Sequence, residues 1–201
     1  MTPDSIKKFA AEAAKLPGIG PRQATRIAFY LAREGNKKIA SLASALTGLS
    51  GLTQCELCHN IMPVSEGKQC AICRNPQRNP TIVAVVEKET DLLSLEKTGK
   101  FSGRYCVLGE LAKDGLLEPE EKRRLKKLQE RAREIKPEGK FNELIIALNH
   151  TAYGELGAIS LIQEMKPFAK KITRLGRGLP TGGEVEFADE ETLGGALASR
   201  N

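Results

Sequence analysis

Four cysteines in the first half of this 201-residue chain have a spacing that can bind a metal ion. Cys55 and Cys58 form one C-x-x-C pair, and after eleven intervening residues Cys70 and Cys73 form a second. Each pair places two thiolates on one side of a tight turn, and two pairs complete the tetrahedral sulfur shell that Zn²⁺ prefers. Because four sulfur ligands leave no position for water, the pattern predicts one structural zinc ion and not a catalytic one.

The alternative interpretation of these cysteines is a pair of redox dithiols. Residues 54–78 contain almost no aliphatic run, so this segment needs something other than a core of its own to hold it, which favours a zinc finger. His59 follows a ligand directly, and we interpret it as a bystander because four cysteines are available. Cys106 lies inside an apolar run and is interpreted as a small buried hydrophobe.

A second candidate site is the sequence Leu-Pro-Gly-Ile-Gly-Pro-Arg at residues 16–22. Gly18 and Gly20 permit a tight turn whose N–H groups, with the start of the following helix, can face a phosphate. By the helical period, Arg22, Arg26 and Arg33 lie within about 40° of one another and make a basic stripe. Surface arginines beside an ordinary turn are the alternative. The combination predicts a helix-hairpin-helix contact with the DNA backbone that reads no sequence.

The distribution of charge supports a polyanion partner. The net charge is +6, and residues 1–50 carry 8 basic and 3 acidic side chains, whereas residues 81–201 carry 20 of each. A localised basic surface attracts polyanions by releasing their counterions. With 6 Phe, 3 Tyr and no Trp, the composition disfavours recognition of bases by aromatic stacking, although Phe29 falls on the basic stripe.

A third group of candidates consists of acidic residues at the ends of predicted strands. Glu87 follows the apolar run 81–86, Asp91 lies one helical turn later, and Glu155 is the nearest acid after the run 144–148. The second run ends in Asn-His-Thr, which supplies none of the anionic oxygens that Mg²⁺ prefers, so a catalytic metal site is poorly supported. The chain also lacks the G-x-x-x-x-G-K-[ST] motif of P-loop nucleotide hydrolases.

The elements that must position these residues belong to an α/β chain of several parts. Apolar residues recur at helical spacing over residues 6–16 and 39–49, with a third helix predicted from Pro21 to Gly35. Continuous apolar runs predict buried strands of a mostly parallel sheet at 81–86, 105–108 and 144–148. The intervening helices are predicted at 91–98, 119–135 and 155–166. The charged helix near 119–135 is interpreted as a solvated face, and residues 176–183 as a structured loop before a C-terminal tail.

The hydropathy of the chain predicts a soluble cytosolic protein. No run approaches the roughly 18 to 20 apolar residues that a membrane span needs. The first residues also lack the apolar core of a signal peptide.

The order of these parts, a helix-hairpin-helix, a four-cysteine module and an α/β domain with few strand-end acids, resembles the RecR family of bacterial recombination mediators. The resemblance covers nearly the whole chain. It is carried by residues 16–29, the two C-x-x-C pairs, and residues 72–78, 82–109 and 172–193.

The resemblance implies a domain organisation and a fold. It implies a helix-hairpin-helix module at residues 1–53, a zinc finger at 54–78, a Toprim domain (the fold of topoisomerases and primases) at 79–174, and an assembly segment at 175–201. It also implies that Cys55, Cys58, Cys70 and Cys73 are the zinc ligands.

The resemblance further implies a DNA-repair protein that is not an enzyme. Such proteins form a ring-shaped tetramer that can encircle single- or double-stranded DNA, and act with RecO and RecF to help load the recombinase. Arg22 and Arg26 match the DNA-contacting pair of the family. Glu87 and Asp91 match Toprim acids that serve partner contact, and we assign Glu155 to the same surface.

Two residues depart from the family pattern. His150 stands where proline usually follows the asparagine, and Tyr153 stands where an acid usually precedes the glycine. The charge of the implied partner surface is therefore lower than usual. Two alternatives stay open: a Mg²⁺-dependent nuclease or topoisomerase-like enzyme that uses Glu87, Asp91 and Glu155, and a zinc-ribbon adaptor that binds only protein.

Overall fold

The computed structural model of the chain describes residues 2–112, 116–135, 137–198 and 200. The chain divides into two compact units, the first ending at Leu52 and the second beginning at Thr53. None of the described helices is long and apolar enough to cross a membrane.

Three helices form the first unit: α1 (Asp4–Ala13), α2 (Pro21–Glu34) and α3 (Asn36–Gly48). Pro21 occupies the first turn of α2, where its missing N–H costs nothing, and Gly35 ends that helix. Few apolar residues are buried here: Ile6 and Ala13 of α1, and Ala24, Ala28 and Leu31 on one side of α2. No described residue of α3 is fully buried, although that helix carries several large apolar side chains.

The cysteine-rich segment forms a small module of its own at the start of the second unit. It consists of a two-stranded sheet, β1 (Leu52–Gln54) and β2 (Ile61–Pro63), and the short helix α4 (Ala71–Arg74). Its buried cluster is made of the four cysteines and Met62. The sequence did not predict the two short strands, because three residues are too few to show a periodicity.

A four-stranded sheet forms the centre of the second unit. Its strands are β3 (Asn79–Val86), β4 (Gly103–Val107), β5 (Phe141–Ala147) and β6 (Ala169–Arg174). The order is β4-β3-β5-β6, and all three pairings are parallel, which confirms the predicted α/β fold with a mostly parallel sheet. The strand β6 was not predicted, since this edge strand has polar residues at most positions.

Both faces of the sheet are covered by helices, as expected of a parallel sheet. The remaining helices are α5 (Glu89–Lys97), α6 (Pro119–Arg133), α7 (Ala152–Met165) and α8 (Glu190–Ala198). Val83 and Val85 face one side, where they share a core with residues of α6 and α7. Ala84 and Val86 point to the other side and pack with Leu92 of α5. The helix α8 lies in the segment that the sequence analysis treated as a tail.

The charged helix α6 is more than a solvated face, which corrects the interpretation from the sequence. Arg131 donates to the backbone oxygen of Leu57 at 2.7 Å and to that of Tyr105 at 3.3 Å. Arg124 is buried and donates to the oxygen of Val107 at 3.2 Å. Two arginines of α6 therefore fix strand β4, and one of them also fixes the first cysteine turn.

Candidate nucleic-acid interface and metal centre

The four paired cysteines converge on one point. Their sulfur atoms all lie within 4.8 Å of one another, and all four side chains are buried. The Sγ atoms of Cys58 and Cys70 are 3.5 Å apart, and the N–H of Cys70 donates to Sγ of Cys55 at 3.4 Å. Tetrahedral zinc with Zn–S bonds of about 2.3 Å places its sulfur ligands about 3.8 Å apart. The donor set therefore fits a single metal ion of this kind.

Local backbone structure explains why the cysteines point inward. The N–H of Cys55 donates to the oxygen of Asn60 at 2.9 Å, and the N–H of His59 donates to the oxygen of Cys55 at 3.0 Å, which closes a tight turn. The N–H of Val107 donates to the oxygen of Cys58 at 2.8 Å, so strand β4 also holds this turn. Hydrogen bonds from the other three thiols hold the pKa of the Cys55 thiol well below its usual range.

Neither His59 nor Cys106 belongs to the cluster. Among the described residues, the group that can hold a metal consists of the four cysteines alone. His59 is buried with a left-handed φ of 62°, and burial, with the nearby charges of Arg124 and Lys127, lowers its pKa to about 4. Burial also raises the pKa of the Cys106 thiol to about 11, as expected of a residue that acts as a small hydrophobe.

The turn between α1 and α2 leaves backbone donors open. Gly18 has φ +76°, a conformation that favours glycine, and the N–H of Ile19 donates to the oxygen of Leu16 at 3.1 Å. Gly20 is the N-cap of α2 and brings no side chain to cap it. Within the described chain, the amides of Arg22 and its neighbour at position 23 make no backbone hydrogen bond. These amides are available to an anion at the positive end of the helix dipole.

The basic stripe of α2 is exposed and unpaired. Arg22, Arg26 and Arg33 are all exposed, and none of them makes an ion pair or a side-chain hydrogen bond with another described residue. Their charge is therefore not compensated inside the unit and remains available to a polyanion.

The acids of the first unit are mostly occupied elsewhere. Asp4 pairs with Lys7 at 3.0 Å, and Glu12 pairs with Lys15 at 2.8 Å, both along α1. The third acid before residue 50, Glu34, is exposed at the end of α2. The local pairing of two of these acids on α1 leaves the arginine stripe uncompensated.

The three strand-end acids are not brought together into one site. The carboxylate of Glu87 is buried and accepts a hydrogen bond from the side-chain amide of Asn149. Asp91 accepts from the N–H of Lys88 at 3.0 Å and so caps α5. Within the described ranges, no group of three acids or histidines lies close enough to share a metal ion. The geometry therefore does not assemble the magnesium site of the enzyme alternative.

Glu155 has a different role, because two arginines enclose it. Arg174 donates to its carboxylate at 2.6 and 2.7 Å, and Arg177 donates at 2.5 Å. The hydrogen bonds from Arg174, then the contact with His150 and the positive charges of Arg174 and Arg177, lower the pKa of Glu155 to about 2. Arg177 also reaches Glu191 of α8 at 2.7 Å, so this cluster fastens the C-terminal segment to the start of α7. Sequence alone could not show it, since the partners are about twenty residues away.

The departures from the family pattern lie beside this cluster. Nδ1 of His150 lies 3.3 Å from Nε of Arg177 and 3.4 Å from the carboxylate of Glu155. Tyr153 is 47% exposed on the first turn of α7. One departure thus joins the arginine cluster, and the other is presented to solvent.

Comparison with known proteins agrees with this architecture. Family models described as the RecR helix-hairpin-helix and the RecR C-terminal region match residues 6–49 and 178–201, and a Toprim-domain model matches residues 81–176. A recombination protein RecR from Rubrobacter xylanophilus is 41% identical over 199 residues, which are 98% of this chain and 96% of that protein. The chain belongs to the RecR family. A recombination protein RecR from Myxococcus xanthus is 37% identical over 205 residues. That alignment covers 100% of this RecR-family chain and 98% of the Myxococcus protein.

Family membership confirms the resemblance seen in the sequence. The helix-hairpin-helix match contains the Gly18–Gly20 turn and the arginine stripe, and the Toprim match contains Glu87, Asp91 and Glu155. The cysteine pairs lie between those two matched ranges, where the structure itself supplies the cluster. This RecR-family chain is therefore a recombination protein with a helix-hairpin-helix and a Toprim domain.

Proposed function

We propose that this chain is a non-catalytic DNA-binding clamp of recombinational repair. The observation that carries the proposal is the turn of Gly18 and Gly20 with the unpaired arginine stripe of α2. Phosphates bind to the open amides at the start of α2, and Arg22, Arg26 and Arg33 continue the contact along the backbone. Such contacts position the protein without reading base edges, so binding is independent of sequence.

Assembly into a ring-shaped homotetramer is part of the proposal. Apolar side chains of all three helices line a groove of about 400 Å³ in the first unit, and three of them lie on α3: Ile39, Leu42 and Leu46. Exposed apolar surface of this kind is typical of a protein contact, and a second copy is the partner that RecR-family membership suggests. The ring encircles DNA and, with RecO and RecF, helps to load the recombinase on single strands. Its site of action is the cytoplasm, on the nucleoid.

Zinc is the metal that we assign to the cysteine cluster. Cys55, Cys58, Cys70 and Cys73 would hold the ion, and four thiolates leave no open position for chemistry. The bound ion would link the two C-x-x-C turns and so stabilise a segment that has almost no aliphatic core of its own. The cysteine module is thereby held in shape against strand β4, to which it is hydrogen-bonded.

The Toprim acids are proposed to serve partner contact and not metal chemistry. Glu87 is buried, whereas Asp91 and Glu155 are half-buried. Since Arg174 and Arg177 compensate the charge of Glu155, Asp91 is the acid best placed to meet a partner.

The double variant Arg22→Ala/Arg26→Ala tests the DNA contact. We expect weaker binding to duplex and single-stranded DNA, and a log–log salt dependence that flattens by about 1 for each phosphate that the variant no longer neutralises. The measurement is fluorescence anisotropy at several salt concentrations. Lys8→Ala/Lys37→Ala is the matched control, because it removes the same charge from exposed positions of the same unit. Equal effects of the two double variants, or unchanged affinity of the arginine variant, would reject the assignment.

A further inference from the structure

We propose that Phe29 and Tyr30 of α2 stack against the bases of single-stranded DNA that is bound along the arginine stripe. The inference rests on the proposed DNA-binding function and adds a ligand class to it: an unpaired strand whose bases are free. The composition of the chain argued against stacking because it contains few aromatic rings. The position of two of those rings argues otherwise.

The two rings flank the arginines around the helix. By the helical period, Phe29 and Tyr30 lie about 100° apart on α2, and all three arginines of the stripe fall in the arc between them. The buried side of α2, formed by Ala24, Ala28 and Leu31, lies opposite. The rings therefore belong to the face that the arginines present to solvent.

Both rings are free to accept a ligand. Phe29 is 44% exposed and Tyr30 is 45% exposed. In the described part of the chain, neither ring packs against another aromatic ring or lies beneath a cation. They line an open groove on α2 together with Arg26 and Arg33. A groove with ring faces and guanidinium groups in its wall offers both of the contacts that single-stranded nucleic acid uses.

The charge of this face selects nucleic acid over an apolar partner. The arginines supply phosphate contacts at the spacing of helical turns, and a ring beside them lies where the attached base can reach it. In a duplex the base faces are already stacked on one another, whereas an unpaired strand exposes them. Stacking therefore favours a single strand, while the arginines alone bind both forms.

The first unit has a different surface for a second copy. The apolar groove of α1, α2 and α3 contains Ala28 and Leu31, which lie on the opposite side of α2 from the arginine stripe. A protein contact can thus form in that groove while the aromatic and arginine face stays open. A role of the two rings in assembly is the competing explanation, and a change in particle mass distinguishes it from stacking.

The test compares full-length Phe29→Leu/Tyr30→Leu with the unaltered chain on three probes of equal length: oligodeoxythymidylate, an abasic deoxyribose-phosphate strand, and a duplex. We expect the variant to bind oligodeoxythymidylate about tenfold more weakly or worse, as removal of base stacking predicts. Binding to the abasic strand and the duplex stays unchanged, and the salt dependence keeps its slope because no charge is removed.

Two controls keep the outcome clear. Tyr30→Phe retains the ring and should bind like the unaltered chain, and Tyr153→Leu removes a ring of similar exposure from the second unit without effect. An equal loss on the abasic strand, or a changed particle mass in light scattering, would overturn the stacking proposal. If the unaltered chain bound none of the three probes, the proposed DNA-binding function itself would fail, which is a distinguishable result.

Discussion

The two units of this protein treat the same chemical groups in opposite ways. In the first unit, the arginines of α2 make no ion pair with described residues. In the second unit, Arg78 pairs with Glu96, and Arg124 and Arg131 donate to backbone oxygens of the sheet. These arginines of the second unit stabilise the fold, whereas those of α2 remain available to a ligand. The net charge of the chain therefore does not by itself show where a binding site lies.

Helix starts show the same contrast. Thr151, the N-cap of α7 in the second unit, accepts a hydrogen bond from the N–H of Gly154 at 3.1 Å. The N-cap of α2 is Gly20, which has no side chain to offer its first-turn amides. A filled cap stabilises its helix, whereas an empty one leaves donors for a ligand. The start of α2 therefore leaves unsatisfied the kind of first-turn donor that Thr151 satisfies at the start of α7.

The largest expected effect comes from disrupting the cysteine cluster of the second unit, to which we assign zinc. Cys55→Ser/Cys58→Ser should abolish bound zinc and unfold the cysteine module, because structural zinc contributes on the order of 10 kcal/mol in small zinc-binding peptides. Metal content and hydrogen exchange over residues 54–78 and strand β4 measure this. The first unit should keep the exchange rates of α1 and α2.

Cys106→Ala is the matched control for this prediction. It removes the fifth cysteine of the chain, which is buried in the sheet outside the cluster. The metal content should stay the same, while stability falls modestly because a buried side chain becomes smaller. Native exchange rates together with full metal content in the double serine variant would show that the cluster is not a zinc site.

A smaller effect is expected from Glu155→Gln, which leaves Arg174 and Arg177 without their shared carboxylate. We expect a loss of about 1 kcal/mol at neutral pH, the scale of ion pairs that water can still reach. The pKa of Glu155 is lowered to about 2 in the folded chain, so its contribution is complete above the pKa of the unfolded chain. That contribution disappears as the pH falls from about 5 toward 2.

Denaturant unfolding at several pH values measures this difference. The stability curves of the variant and the unaltered chain should converge at low pH. Glu164→Gln, at an exposed position of the same helix with no ion pair among described residues, should behave like the unaltered chain throughout. A constant difference at all pH values would contradict the assigned role of the carboxylate.

Local sequence patterns predicted the features of the structure that are determined by residues close together in the chain. The cysteine spacing, the apolar strands and the Pro21 start of α2 are such signals, and each corresponds to an element of the structure. The edge strand β6 was missed because solvent faces much of it, so Lys170 and Lys171 interrupt the apolar pattern. The helix α8 was not predicted because it contains two adjacent glycines, which disfavour a helix.

Contacts between distant residues explain the rest of what the sequence could not show. The charge pattern of α6 predicted a helix but did not indicate that Arg131 reaches the oxygen of Leu57, 74 positions away. Likewise, Glu155 stands near a strand end as a metal ligand or partner contact would, and only the fold reveals the arginines that enclose it. Tyr30 was overlooked because its aromatic character matters only in relation to the exposed face of α2.

The smallest expected effect separates stability from binding in the first unit. Gly20→Ser gives α2 a side-chain cap like that of α7, which should raise the free energy of unfolding by a few tenths of a kcal/mol. The same hydroxyl accepts hydrogen bonds from the first-turn amides and competes with phosphate, so DNA affinity should fall while stability rises.

Nothing lies within 4 Å of the Cβ that would be added at Gly20 or at Gly51, so Gly51→Ser is a control of similar steric cost away from the turn. Thermal unfolding and DNA anisotropy should move in opposite directions for Gly20→Ser alone. If both rose together, the open amides of α2 would not be where the backbone of DNA binds, and the arginine stripe would have to act without them.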